Sequence, residues 1–205
     1  MNEQLSNEVV KGTGTNRWAR IIRILGIGFM AAVFAGIIFG LLLRLVMGII
    51  AMFFPHLATG FTVGGTLMLV ILGIAVTLAN SIVYTTFFQR SRKSWVQKGL
   101  YFGLLSLLIY GTPLFLSNPN NELFGPQAPL GVALFSALFF IGALILVYFI
   151  DKISRWVDHS HRRLRLSYLS FALLVIPAIV MLVNIIAEIF YEILPKIITN
   201  LSQLL

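Results

Sequence analysis

The sequence predicts an all-α integral membrane protein: one bundle of five transmembrane helices, N-terminus inside and C-terminus outside. Three observations carry this. The 205 residues are 59% hydrophobic and only 11% charged, with a mean hydropathy of +0.94. A soluble domain is about 45–50% apolar and about 25% charged. The apolar residues fall into five runs, each close to or longer than the roughly 20 helical residues that cross a ~30 Å hydrocarbon core. The basic residues then fall in alternate connections between those runs, which puts them on one side as the positive-inside rule requires.

Residues 1–16 are polar and lack a sustained period, which predicts a flexible cytoplasmic tail. Arg17, Trp18, Arg20 and Arg23 follow, a basic and aromatic boundary of the kind found at membrane interfaces. The first apolar run, Ile24 to Phe54, contains one charge, Arg44. It is too long for the short core of a cleavable signal peptide and reads as a retained signal anchor. If all helical it spans roughly 46 Å, so it either protrudes on the far side or breaks near Gly48, laying residues 49–58 along the surface. Pro55 ends it, His56 is an interfacial residue, and the glycine-rich stretch 60–65 is the turn.

The second span is Thr66–Phe88, closed by a basic, Trp-marked segment through Trp95. The third runs from Gly99 to Leu116, with Pro113 kinking or ending it. Residues 117–130 form a Pro/Asn/Gly loop. The fourth span is Gly131–Ile150. The strongly basic stretch 151–167 reads as a loop, within which Asp151 and Arg155 are spaced to support a helix end. The fifth span is Tyr168–Ala187, with Pro177 near its middle and Glu188 and Glu192 just beyond. The domain is thus 17–195. Residues 196–205 form either an amphipathic surface tail, from the spacing of Ile197, Ile198, Leu201, Leu204 and Leu205, or the frayed end of the fifth helix.

Of the 15 basic residues, 13 precede span one or lie between spans two and three or four and five; the others are Arg44 and Lys196. Five spans place all 13 on one side, with all three tryptophans. The net charge of +8 is therefore a topology signal and an attraction to anionic inner-leaflet lipids. It does not indicate a nucleic-acid partner, because no compact soluble basic domain exists to hold one.

Small residues recur every fourth position in span one: Gly28, Ala32, Gly36, Gly40, then Arg44 and Gly48. Residues four apart drift about 40° around the axis. Gly36, Gly40 and Arg44 can therefore share a partner, whereas Gly28 and Gly48 cannot both face it. Gly36 and Gly40 form a helix-packing face, since small side chains let membrane helices approach closely. Arg44 continues that row about 30 Å from Ile24, near the outer edge of the hydrocarbon. An intramembrane charge faces a partner or a wet cavity. Glu188 reaches similar depth on span five, so an Arg44–Glu188 or Arg44–Glu192 ion pair is expected. The alternatives are snorkelling to outer headgroups and a substrate-binding cation. Asn80 and Asn184 are amides within apolar spans, suited to hydrogen bonding across helices or to lining a polar path.

Cysteine is absent, which excludes disulfide, thiolate and Cys-type zinc chemistry. His159 and His161, with Asp158, have metal-ligand types, but neighbouring arginines repel a cation. No metal or cofactor is expected. No P-loop, nucleophile elbow, dinucleotide fingerprint or HExxH motif occurs.

The segments GIGFMAAVFAGIIFGLLLRLVMGII and GFTVGGTLMLVILGIA, covering the first two spans, resemble small uncharacterised bacterial multi-spanning membrane proteins. The resemblance implies a bacterial source and carries no activity or functional residue. The function expected is non-enzymatic: a structural, regulatory or accessory subunit acting through helix packing, with itself as a homo-oligomer or with a larger membrane partner. The alternative is a small transporter or channel for an anionic or polar solute, with Arg44 lining the path. An enzyme on lipid substrates is disfavoured, because no acid–base constellation is visible.

Overall fold

The computed structural model describes residues 17–55, 60, 62–89, 91–111 and 126–202. These are helical except for short connections. Helix α1 is Arg17–Phe53, α2 is Val63–Phe87, and α3 is Trp95–Ser106, continued by a π turn over Leu107–Gly111. Helix α4 is Ala128–Asp158. Helix α5 is His161–Glu188, continued by a second π turn over Ile189–Ile193 and then by α6, Leu194–Ser202. The expectations for residues 1–16, His56, Pro113, the 117–125 part of the loop, Leu204 and Leu205 lie outside the described residues.

Among the described residues, four helical stretches are long and apolar enough to cross a membrane: α1, α2, α4 and the run Arg162–Lys196. The described part of the remaining apolar run, α3 with its π turn, rises about 25 Å at helical pitch. This is a multi-pass membrane architecture.

Two boundaries differ from the sequence expectation. Helix α1 passes Gly48 without a break and ends at Phe53, so residues 49–53 extend the helix. Gly48 costs only about 1 kcal/mol of helix propensity, too little to break a run that is apolar on both sides; Pro55 stops it. The basic stretch 151–167 is helical hairpin and not loop. Helix α4 runs to Asp158, His159 and Ser160 make the turn, and α5 begins at His161. Charged residues there are good helix formers, and the Asp151–Arg155 pair at 2.5 Å supports the last turns of α4.

Each π turn ends two residues before a proline in the sequence, Pro113 and Pro195. A proline ring clashes with the carbonyl four residues back. The wider π turn moves that carbonyl aside, so the chain stays helical past Pro195 to Ser202. Pro177 sits within regular α5 helix.

Helix α1 is the central element, packed against α2, α4 and α5, while α3 packs on α4. Its small residues make this position available to it. Ala31, Ala32 and Ala35 are almost fully buried across an arc of about 100°. Aromatic rings fill between the helices: Phe29 stacks on Phe171 of α5 at 6.2 Å, and Phe34 on Phe149 of α4 at 6.0 Å. Phe102 of α3 meets Tyr84 and Phe88 at the end of α2, at 5.4 and 5.6 Å.

The basic segments converge on one end of the bundle. Arg23 near the start of α1 pairs with Asp158 at the end of α4. Gly26 abuts the Ser167 carbonyl near the start of α5, and Gly28 abuts Thr85 near the end of α2. Trp95 at the start of α3 meets Tyr148 of α4 edge-on at 5.6 Å. The Arg163 guanidinium lies 4.6 Å from the Trp156 ring centre, joining α4 and α5 across their turn.

Candidate functional site: the glycine seam and Arg44

The seam between α1 and α2 is built from three glycines. A Cβ placed on Gly40 would lie 2.5 Å from the Val70 Cα, and one on Gly36 would meet the Ile74 backbone even more closely. From the other side, a Cβ on Gly73 would lie 2.5 Å from the Gly36 carbonyl oxygen. The two backbones are therefore in van der Waals contact, and no larger residue fits at any of the three positions without the helices separating. Contact of this kind supplies the dispersion energy on which membrane helices rely. The packing face formed by Gly36 and Gly40 thus meets the chain's own second helix. Gly48, rotated off the seam, faces open space.

Helix α2 turns its hydroxyls toward the same side and satisfies them locally. Thr77 donates to the Gly73 carbonyl at 2.6 Å, Ser81 to Leu78 at 2.7 Å and Thr85 to Ser81 at 2.7 Å. All three residues are buried, and each hydroxyl returns its proton to a carbonyl of its own helix.

Arg44 is half-buried one turn beyond Gly40. Its guanidinium Nη2 donates to the Gly60 carbonyl at 3.1 Å, just before α2 begins. Gly60 has φ of +81°, a left-handed conformation that glycine adopts without the Cβ penalty. Thr62 then caps α2, its hydroxyl accepting from the Gly65 amide at 3.1 Å.

The ion pair expected between Arg44 and Glu188 or Glu192 does not occur among the described residues. Glu188 is exposed, and Glu192 lies 3.9 Å from Lys196 on its own helix. The reason is rotational. Taking the fully buried Ala178 as the inward direction, Glu188 is displaced about 80° and Asn184 about 120° around the axis. Matching depth did not imply matching face. Asn184 is likewise exposed, so it does not meet Asn80 across the bundle. Asn80 is half-buried, and its Oδ1 is enclosed without a hydrogen-bond donor among the described residues. The structure therefore unites Gly36, Gly40 and Arg44 at one seam and leaves Glu188, Glu192 and Asn184 apart from it.

Asp158 is occupied by Arg23, and His159 Nδ1 is 2.5 Å from the Arg155 carbonyl oxygen. The His161 side chain lies outside the described residues. Among the described residues no three His, Asp or Glu side chains cluster as metal ligands.

Gly73 and the Arg23–Asp158 pair are not singled out by the sequence, and Gly60 is read there only as part of the 60–65 turn. Gly73 had a signal, since it is the one glycine in the interior of the second apolar run. So did Gly99 and Gly103, four apart on α3, which abut Leu144 and Phe140 of α4.

No known protein family, curated protein or solved structure matches the chain.

Proposed function

We propose that the chain is a non-enzymatic accessory or structural subunit of a plasma membrane, bacterial in origin, acting through its helical scaffold. Its N-terminus and basic end face the cytoplasm and anionic inner-leaflet lipids, and its C-terminus faces outward. The observation that carries this is the bond from Arg44 to the Gly60 carbonyl. The cation at the edge of the apolar interior holds a backbone turn, directly after a seam closed by Gly36, Gly40 and Gly73. A substrate-binding cation would instead project into an accessible polar cavity. Because the glycine seam is consumed within the chain, association with a second copy or a larger membrane partner falls to other faces.

A second function, a small channel or transporter for a polar solute, is favoured by the enclosed Asn80 Oδ1, an acceptor with no donor among the described residues. Liposomes separate the two. For a scaffold, Arg44→Ala lowers folded yield and thermal stability, and wild-type vesicles hold back small anions. If the variant assembles intact while abolishing an anion flux that the wild type carries, the scaffold assignment is lost.

A further inference from the structure

Two cavities open at the basic end. The smaller, about 240 Å³, is lined by Arg23, Asp158, His159 and Ser160. Its cation is already paired with its carboxylate, so it has little field left for an anion. The larger is different in chemistry. It is a cleft of about 400 Å³ between the end of α2 and the start of α3. Its walls are apolar: Phe87 and Phe88 on one side, Leu104 and Leu108 on the other. Phe87 is 75% exposed and Leu108 58%, so the cleft is open along the flank of the bundle and not sealed by a neighbouring helix.

The mouth carries two ammonium groups. Lys93 Nζ lies 3.6 Å from the centre of the Tyr101 ring, and Lys98 Nζ donates to the Gln89 carbonyl at 3.4 Å. Neither partner is anionic. The sequence contains no acidic residue between Glu8 and Glu122, and Asp151 of α4 is bound to Arg155. The Ser94–Gln97 capping box engages the Gln97 amide at the start of α3, and Lys93 and Lys98 are the cations that line the cleft.

We propose that this cleft seats a phospholipid with a net negative headgroup. Its phosphate lies between Lys93 and Lys98, and one acyl chain lies along Leu104 and Leu108. Charge complementarity at the mouth and an apolar floor that runs toward the bilayer centre define an amphiphile of this kind. The inference rests on the membrane placement given above and is independent of whether the chain is a scaffold or a transporter.

The test is native mass spectrometry of the full chain in detergent. It is offered equal amounts of phosphatidylglycerol and phosphatidylcholine with identical acyl chains. Phosphatidylglycerol adducts should dominate in the wild type and fall about thirtyfold in the Lys93→Gln/Lys98→Gln variant, the scale of losing two headgroup contacts of ~1 kcal/mol each. Lys152→Gln/Arg165→Gln removes the same charge elsewhere on the basic end and should leave them unchanged. Leu104→Trp fills the groove without altering charge and should also lower them, which decides the matter if the double lysine variant does not fold. Equal retention of the two lipids, or an equal loss in the charge control, overturns the proposal. Anion flux and co-purifying partners are read separately and are unaffected by either result.

Discussion

The Arg44 guanidinium and the Gly60 carbonyl close the connection between α1 and α2, at 3.1 Å and across 16 residues of sequence. The bond joins the end of the glycine seam to the turn that sets where α2 begins. A cation near the hydrocarbon edge would otherwise need water or a headgroup; here it has a fixed backbone acceptor that cannot be removed by side-chain substitution.

Arg44→Ala should therefore destabilise the fold by about 1 kcal/mol, the usual net value of an intramolecular hydrogen bond. Arg44→Lys, with a single-point ammonium, should recover only part of it. Gly60→Ala should cost a similar ~1 kcal/mol, because alanine resists the positive φ. The two effects should be less than additive, since straining Gly60 already misplaces the acceptor. Denaturation in mixed micelles, followed by circular dichroism, measures all three. Full additivity would mean the turn holds its shape without Arg44.

Gly36 and Gly40 differ from Gly48 in what surrounds them, and substitution should sort them sharply. Gly36→Val or Gly40→Val forces α1 and α2 apart along contacts shorter than any real Cβ contact. Overpacking of this kind costs typically 1–3 kcal/mol or more. Gly48→Ala meets open space and should be neutral or slightly stabilising through helix propensity. Thermal melting of the three purified variants tests this; equal melting temperatures would show that the seam does not hold the bundle.

Glu188→Gln offers the opposite expectation. Glu188 is exposed and forms no ion pair among the described residues, so stability should change by less than about 0.5 kcal/mol. A large loss in a melting experiment would revive the pairing with Arg44 that depth along the helix suggested.

What the sequence revealed divides along a physical line. Helix existence, the placement of charge and the close-packing character of Gly36 and Gly40 depend on local composition and on the fixed 3.6-residue period, both of which are printed in the chain. Which helix meets that face depends on the rotation of α5 and the length of the α1–α2 turn, and these are global properties. Glu188 was matched to Arg44 by axial depth alone, and an 80° rotation removed it. The hairpin at His159–Ser160 was hidden for a related reason. Arginine and lysine favour helices as readily as loops, so a basic stretch marks the interface without saying whether the helix continues through it.

Asn80 separates the two function classes by stability as well as by flux. Its Oδ1 is enclosed with no donor in reach among the described residues, and an unpaired polar group in an apolar setting costs about 1–3 kcal/mol. In a scaffold with a dry interior, Asn80→Leu removes that cost at similar volume, so the variant should melt higher, by an amount within that range. In a channel, the same amide is kept despite its cost because permeating water or solute supplies the missing donor. There, Asn80→Leu would lower conductance while leaving stability unchanged or reduced. Melting temperature and liposome flux on one purified variant therefore give opposite signatures. A stabilised Asn80→Leu chain with unaltered vesicle permeability is the result the scaffold assignment requires, because only a dry interior leaves that oxygen uncompensated in the wild type.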